Sequence, residues 1–181
     1  STVVCVTGDG ILRFFRVTEN QFRAVPMNLK RDPQNYLCHC WLPEDRVVVA
    51  TDTGELLIFE GFEFRMVLGS SPSDGESIDS IIAFSKGFVC GADDGVIYVF
   101  EKSDDKDYYK KAKAFRIENN AVRIKHLAVS PSEEQLVCTL ANSQVSTQAL
   151  NSTQPSSTQL ARSSELHLSR QLAGPPSRGR L

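Results

Sequence analysis

Cys38, His39 and Cys40 stand side by side, and thiolates together with an imidazole are ligands that Zn²⁺ prefers in proteins. A strand would place both cysteines on one face and the histidine on the other, and no second group of ligands follows in the sequence. We therefore interpret the three residues as part of a strand and not as a metal site. The other histidines, His126 and His167, are isolated in sequence.

Sequence patterns typical of enzyme active sites do not occur. The sequence contains no G-x-S-x-G turn, no G-x-x-x-x-G-K-[ST] phosphate loop and no H-E-x-x-H zinc motif. Asp9, Asp52, Asp93 and Asp94 fall at predicted turns, where a carboxylate accepts hydrogen bonds from backbone N–H groups. We predict no catalytic, cofactor-binding or metal-binding residue, and we predict that the protein is not an enzyme.

The elements that carry these residues form a repeat. Arg46–Gly61 has two apolar runs on either side of Asp-Thr-Gly, which predicts a strand, a tight turn and a second strand. Related stretches occur at Ser1–Val17, Gly87–Lys102 and Leu136–Leu150. The intervals between the turn residues are 44, 41 and 48, close to the ~40–45 residues typical of WD40 propeller blades. These turn residues are Gly10, Gly54, Gly95 and Ser143.

The first three copies resemble WD40 repeats in which Phe replaces Trp. Phe15, Phe59 and Phe100 stand five residues after the turn residue, and Gln148 stands there in the fourth copy. Five residues before the turn residue the copies have Cys5, Val49, Cys90 and Cys138, which we expect to pack as small hydrophobic residues. The family's Gly-His pair is missing, so the resemblance does not extend to its His-Ser-Asp-Trp hydrogen-bond set.

The predicted fold is all-β: a partial, open WD40 β-propeller of about three and a half four-stranded antiparallel blades within residues 1–150. The blades are expected at about 1–28, 36–69, 78–118 and 124–150. Inner strands are predicted at Tyr36–Leu42, Asp79–Phe84 and Ile124–Val129, and outer strands are predicted to begin with Phe22-Arg23, Phe64-Arg65 and Phe115-Arg116. The charged stretch Ser103–Lys113 is expected to be a solvated loop, and Ser70–Ser77 a surface loop.

Two blades are predicted to be incomplete. The first lacks an inner strand, and the third strand of the fourth is expected to be damaged because Ser146, Thr147 and Gln148 replace its apolar run. We expect Phe59 and Phe100 to be buried between blades. We also expect the open ends to expose Ile11, Leu127 and Leu136, because repeat proteins are stabilised by contacts between neighbouring units.

Composition limits the remaining function classes. The 181 residues carry a formal net charge of −2, contain no apolar run of membrane-spanning length, and show no basic patch typical of nucleic-acid binding. An odd number of cysteines, five, favours a reducing, intracellular compartment over a disulfide framework. Residues 151–181 are rich in Ser, Thr, Gln, Pro and Arg and are predicted to form a disordered tail, which together with Ser1 suggests a truncated fragment or an isoform with an alternative end.

A closer resemblance rests on N-Y-L-C-H-C-W-L-P-E-D-R-V-V-V-A-T-D-T-G-E-L-L-I-F-E and on the later G-A-D-D-G-V-I-Y-V-F-E-K. With these stretches, about residues 1–144 resemble the cilia- and flagella-associated WD-repeat proteins. The resemblance implies a non-catalytic protein-interaction scaffold in the axoneme of motile cilia and flagella, within the cytoskeleton. It also implies that the protein helps assemble or position inner dynein arms and regulatory complexes, with axonemal or dynein-regulatory proteins as partners. The family's coiled coil has no counterpart here, because no sustained heptad pattern occurs.

One alternative remains open at this stage. WD40 propellers host many functions, so a general adaptor subunit in trafficking, signalling or ubiquitin transfer has the same sequence features. Both readings predict protein partners, and neither predicts nucleic acid, membrane or a small-molecule substrate as a ligand.

Overall fold

The computed structural model describes residues 2–68, 75–104, 108–117 and 122–150, and the backbone of 159–162. Within these ranges the secondary structure consists of β-strands and turns, and no segment is helical. The strands are β1 (Thr2–Gly8), β2 (Ile11–Thr18), β3 (Gln21–Ala24), β4 (Tyr36–Leu42), β5 (Arg46–Thr51), β6 (Leu56–Glu60), β7 (Glu63–Val67), β8 (Ile78–Phe84), β9 (Gly87–Ala92), β10 (Val96–Lys102), β11 (Tyr109–Arg116), β12 (Ile124–Val129), β13 (Gln135–Leu140), β14 (Gln144–Ala149) and β15 (Gln159–Arg162).

Four antiparallel sheets follow one another along the chain, and each pairs its strands in sequence order. We name them blade 1 (β1–β3), blade 2 (β4–β7), blade 3 (β8–β11) and blade 4 (β12–β15). Blade 1 has three strands among the described residues, and the other blades have four. Short hairpin connections produce this arrangement, because antiparallel strands can be joined by tight turns whereas parallel strands need long crossovers.

The turn residues of the repeat adopt one backbone conformation. Gly10, Gly54, Gly95 and Ser143 have φ values of 64°, 81°, 80° and 65°. Glycine reaches this left-handed region without a steric penalty, whereas a serine there is unusual. The alignment of the four copies on these positions is therefore confirmed, including the copy in which serine replaces glycine.

A hydrophobic core fills each of the three spaces between neighbouring blades. Between blades 1 and 2, Phe14 and Leu12 pack against Phe59 and Val49. The core between blades 2 and 3 includes Ile58 and Phe100, and the core between blades 3 and 4 includes Val99 and Leu136. Phe59 and Phe100 are both fully buried, which confirms the expectation from the sequence.

Most strand predictions agree with the structure, and the outer strand of blade 3 is the main exception. The inner strands β4 and β12 have the predicted bounds, and β8 begins one residue earlier. In blade 3, β11 already begins at Tyr109, so Phe115-Arg116 ends the outer strand instead of starting it. Tyr109 is buried at the start of this strand while Lys110 and Lys111 are exposed. Charged side chains on an outer edge strand discourage pairing with another sheet, and this explains the lysine-rich stretch that the sequence assigned to a loop.

The fourth copy forms a more complete blade than expected. β14 pairs with β13 from Val145 to Ala149. Ser146 and Gln148 are buried, and Gln148 Nε2 donates a hydrogen bond to Ser146 Oγ at 3.2 Å. The two polar side chains satisfy each other, so the strand keeps its place without an apolar run. Residues 151–181 were predicted to be a disordered tail, but β15 lies within them and pairs with β14, whose backbone offers a free edge. The rest of that range, and part of Ser70–Ser77, lie outside the described residues.

Candidate protein-interaction surfaces

The three adjacent metal-ligand types, Cys38, His39 and Cys40, point to opposite sides of β4. Cys38 and Cys40 pack into the core between blades 2 and 3, and Cys38 Sγ lies 3.3 Å from the carbonyl oxygen of Ile78. His39 faces blade 1, where its Nδ1 is 3.1 Å from Thr7 Oγ1. The structure therefore separates the three residues, as the alternation of a strand predicts.

Burial governs the protonation of these groups. Desolvation raises the pKa of Cys40 to about 12 and also raises the pKa of Cys38. Desolvation lowers the pKa of His39, which is half-buried. Thiols with raised pKa values stay protonated near neutral pH and bind metals poorly. The described residues contain no group of three or more His, Cys, Asp or Glu side chains that could hold a metal ion.

The position of Cys5 differs from the prediction. Cys90 and Cys138 lie opposite Tyr98 and Ser146 in the sheets, whereas Cys5 lies opposite Phe14 and faces the next blade. The cause is the turn of blade 1, in which Gly8 pairs directly with Ile11 across two residues. Shifting the pairing register by one residue moves a side chain to the other face of its strand. Cys5 is nevertheless buried, as expected for a small hydrophobic residue.

The aspartates at the repeat turns support backbone structure. The N–H groups of Asp52 and Asp93 donate to the carbonyl oxygens of Asn35 and Ser77 at 3.1 and 3.0 Å. Asp94 Oδ1 accepts a hydrogen bond from the N–H of Val96 at 3.0 Å. The two backbone contacts join the turn to the start of the inner strand in blades 2 and 3. The predicted role, a carboxylate that accepts a backbone N–H, is confirmed for Asp94.

Arginines at this end of the blades were not singled out from the sequence. Arg31 forms two hydrogen bonds with the carboxylate of Glu55, at 2.7 and 2.6 Å. Arg123 contacts Asp79 at 3.0 Å and Asp93 at 3.3 Å, beside a cleft of about 370 Å³. Both arginines precede an inner strand and contact acidic residues of a neighbouring turn or strand. This shared position before an inner strand is the sequence signal from which the two contacts could have been predicted.

Hydrogen bonds keep the Asp93 side chain beside this cleft in its charged form. Burial acts to raise the pKa of Asp93, but hydrogen bonds with Glu76, Ser77 and Arg123 outweigh it and hold the pKa below its ordinary value. A carboxylate held in its charged form by donors accepts no proton readily. With its contacts to Asp79 and Asp93, Arg123 thus forms an ion-pair network beside the cleft.

The outward face of blade 1 is the most hydrophobic exposed surface among the described residues. Phe22 is 66% exposed, Ile11 48% and Val6 40%. Phe15 is half-buried and packs edge-to-face on Phe22, with 6.2 Å between the ring centroids. We call these side chains, with Val4 and Val17, the blade 1 end face. An exposed apolar patch on a sheet face is typical of an interaction site.

The outward face of blade 4 is less hydrophobic than that of blade 1. Its half-buried side chains are small or β-branched, and we call them the blade 4 end face: Val137, Thr139, Val145, Thr147 and Ala149. Of the residues expected to be exposed at the open ends, Ile11 is exposed. Leu127 is half-buried and packs against the core between blades 3 and 4, so the prediction is wrong for this residue. Leu136 is fully buried, which corrects the prediction, because it faces blade 3 and not the open side.

Comparison with solved structures identifies the architecture. The chain superposes on the crystal structure of the Myceliophteria thermophila Cps50 (Swd1) β-propeller domain with a TM-score of 0.71 at 15% identity, covering 88% of this chain and 55% of that one. It also superposes on the Chaetomium thermophilum Raptor structure with a TM-score of 0.66 at 18% identity, covering 88% of this chain and 15% of that one. The fold is an open WD40 β-propeller. These identities are too low to indicate more than the fold.

The sequence comparison extends the earlier resemblance. The WD40 repeats are similar to cilia- and flagella-associated protein 57 of Mus musculus, with 30% identity over 195 aligned residues that cover 78% of this chain and 16% of the relative. They are 35% identical to cilia- and flagella-associated protein 57 A of Tetrahymena thermophila, covering 74% of this chain and 11% of the relative. The chain thus spans less than a fifth of the length of these relatives. No protein-family model matches the sequence, and no helix among the described residues is long and apolar enough to cross a membrane.

Proposed function

We propose that this open propeller is a non-catalytic protein-interaction scaffold of motile cilia and flagella, where it helps assemble or position inner dynein arms and regulatory complexes. The observation that carries the proposal is the similarity to cilia- and flagella-associated protein 57 from a mouse and from a ciliate, over about three quarters of the chain. The fold supports it, because WD40 propellers serve as rigid platforms for protein partners.

The chemistry of the described residues is consistent with binding and offers no support for catalysis. Four of its cysteines are buried and Cys38 is half-buried. The carboxylate of Asp94 accepts a backbone hydrogen bond, that of Asp93 pairs with Arg123, and the half-buried His39 contacts Thr7 of the preceding sheet. The exposed apolar surface lies instead on the blade 1 end face. Surfaces of this kind bind other proteins.

Co-sedimentation with purified axonemes tests the proposal. The full chain should pellet with axonemes at a saturable number of sites, and cross-linking followed by mass spectrometry should place it beside inner dynein arm or regulatory components. A propeller protein of unrelated function is the matched control. Sedimentation no greater than that control would refute the ciliary role, and cross-links confined to vesicle-coat or ubiquitin-ligase subunits would favour a general adaptor.

A further inference from the structure

The outer half of blade 1 contains two arginines that lie directly opposite each other. Arg16 of β2 pairs with Arg23 of β3 in the register of the sheet, and both side chains are exposed. Neither forms an ion pair with an acidic side chain in the part of the chain that the structure describes. Like charges at directly opposed positions of a sheet are destabilising. The sheet therefore gains stability when an anion lies between the two guanidinium groups.

The other repeats have an acid at the position of Arg16. Six residues after the turn residue, blade 2 has Glu60 and blade 3 has Glu101. Glu60 Oε2 lies 3.3 Å from Nε of Arg65, which corresponds to the second arginine of blade 1. Glu101 lies opposite Lys110 in the sheet of blade 3. The like-charged pair of blade 1 is therefore a departure from the repeat and not a consequence of the fold.

A groove of about 390 Å³ lies beside the two arginines, and we call it the rim groove. Two arginines, one threonine and three small apolar residues line it: Arg16, Thr18, Arg23, Ala24, Val25 and Pro26. The guanidinium carbon of Arg16 lies 5.3 Å from the ring centroid of Phe62, and this contact restricts its position. The Thr18 hydroxyl has no hydrogen-bond partner among the described residues. Guanidinium groups and hydroxyls are donors, so an anion with several oxygens suits this lining.

The rim groove lies on the side of blade 1 that faces blade 2. Phe14 packs into the core between these two blades, and Arg16, two residues further along β2, contacts Phe62 of blade 2. Alternation along the strands therefore places both arginines on this side and the pair of Phe15 and Phe22 on the other. A blade that precedes blade 1 would pack on the blade 1 end face and not on the rim groove.

We propose that the rim groove binds the phosphate group of a phosphorylated side chain in a protein partner, which rests on the scaffold function proposed above. A phosphorylated side chain carries about −1.5 to −2 charges at neutral pH and three acceptor oxygens, so it balances two guanidinium groups. A carboxylate carries a single charge and two oxygens and leaves one arginine uncompensated. The apolar part of the lining, Ala24, Val25 and Pro26, contacts the carbon atoms of the ligand.

Fluorescence anisotropy of the full chain with dye-labelled peptides tests the proposal. The peptides share one glycine-flanked sequence and carry phosphoserine, phosphotyrosine, serine or glutamate at the central position. We expect a phosphorylated peptide to bind at least tenfold more tightly than the serine and glutamate peptides, because only phosphate compensates both arginines. Tighter binding of the phosphoserine or of the phosphotyrosine peptide identifies the source of the phosphate, and either result supports the proposal.

Neutral variants of the two arginines measure the contribution of each. Arg16→Gln and Arg23→Gln should each weaken binding of the phosphorylated peptide about tenfold or more, because each removes hydrogen bonds to a charged group. Arg13→Gln is the matched control, since it removes the same charge from an exposed position of β2 whose side chain lies on the opposite face. We expect this control to bind the phosphorylated peptide as the unaltered chain does.

Arg16→Glu separates loss of binding from loss of folding. It restores the acid of the other repeats, which can pair with Arg23 as Glu60 pairs with Arg65. We therefore expect the variant to lose binding of the phosphorylated peptide while its melting temperature is unchanged or higher. A structural role of Arg16 alone would instead lower the melting temperature and leave the preference for phosphate unchanged in the variants that remain folded.

Three outcomes would overturn the phosphate site. The first is a glutamate peptide that binds as tightly as the phosphorylated peptides. The second is an equal loss of binding in Arg13→Gln, which indicates general attraction to positive charge. The third is the absence of binding by both phosphorylated peptides. Because the assay contains no axonemes, each of these results leaves axonemal co-sedimentation of the full chain as a separate test of the proposed function.

Discussion

Replacing Phe59 with alanine tests whether packing between blades carries the stability of this protein. Phe59 is fully buried, and its ring lies 5.6 Å from Phe14 of blade 1 and 5.7 Å from Phe64 of its own outer strand. The substitution removes the ring from both contacts and leaves a cavity between two sheets. Phe→Ala changes in cores typically cost ~3–5 kcal/mol. Because domains of this size are stable by ~5–15 kcal/mol, we expect about a fifth or more of the free energy of unfolding to be lost.

Urea unfolding followed by tryptophan fluorescence measures this loss directly, because Trp41 lies 6.2 Å from Phe14 in the same region. Phe22→Ala is the matched control, since it removes the same ring from a site that is 66% exposed, and in dilute solution its effect should stay below about 1 kcal/mol. A loss below about 1 kcal/mol for Phe59→Ala as well would refute the view that the cores between blades hold the arc together.

Three further predictions follow from other contacts. A Cβ added by Gly91→Ala would lie 2.6 Å from Cγ2 of Ile124 on the next blade, so we expect a loss of ~1–3 kcal/mol in urea unfolding, whereas Gly8→Ala, which meets Ile11 at 3.9 Å, should be nearly neutral. Burial lowers the pKa of His39 below 6.5, so just below this pH the unfolded chain binds a proton that the folded chain does not bind. The free energy of unfolding should therefore fall as pH drops below about 6.5. His39→Gln should flatten this part of the pH profile, and an unchanged profile would contradict this role of His39. The cysteines should react with a thiol reagent far more slowly in the native protein than in denaturant, since burial raises the pKa values of Cys5 and Cys40 to about 12; rapid native labelling of either would show that its strand is misplaced.

The repeat made most of the fold predictable from the sequence. Turn residues at a regular spacing located the four sheets, and the alternation of side chains placed Phe59 and Phe100 in the cores. The spacing could not give the register of blade 1, because a two-residue turn there moves Cys5 to the opposite face. Nor could composition predict β14, in which Ser146 and Gln148 bond to each other and so remain buried.

The interaction surfaces were predictable only in part. The exposure of Ile11 follows from an open end, and it was anticipated. The pairing of Phe15 with Phe22 depends on how the outer strand aligns with its neighbour, which hydrophobic periodicity does not determine. The contacts of Arg31 and Arg123 join segments that are distant in sequence, so they become visible only once neighbouring blades are in place.

Localisation in a cell with motile cilia tests the central claim most directly. A tagged full chain should follow the length of the cilium and stay with the axoneme after the membrane is removed with detergent. The blade 1 end face variant Phe22→Asp, expressed at the same level, shows whether this surface contributes. A signal that is diffuse in the cell body, or one that detergent releases completely from the cilium, would contradict an axonemal scaffold.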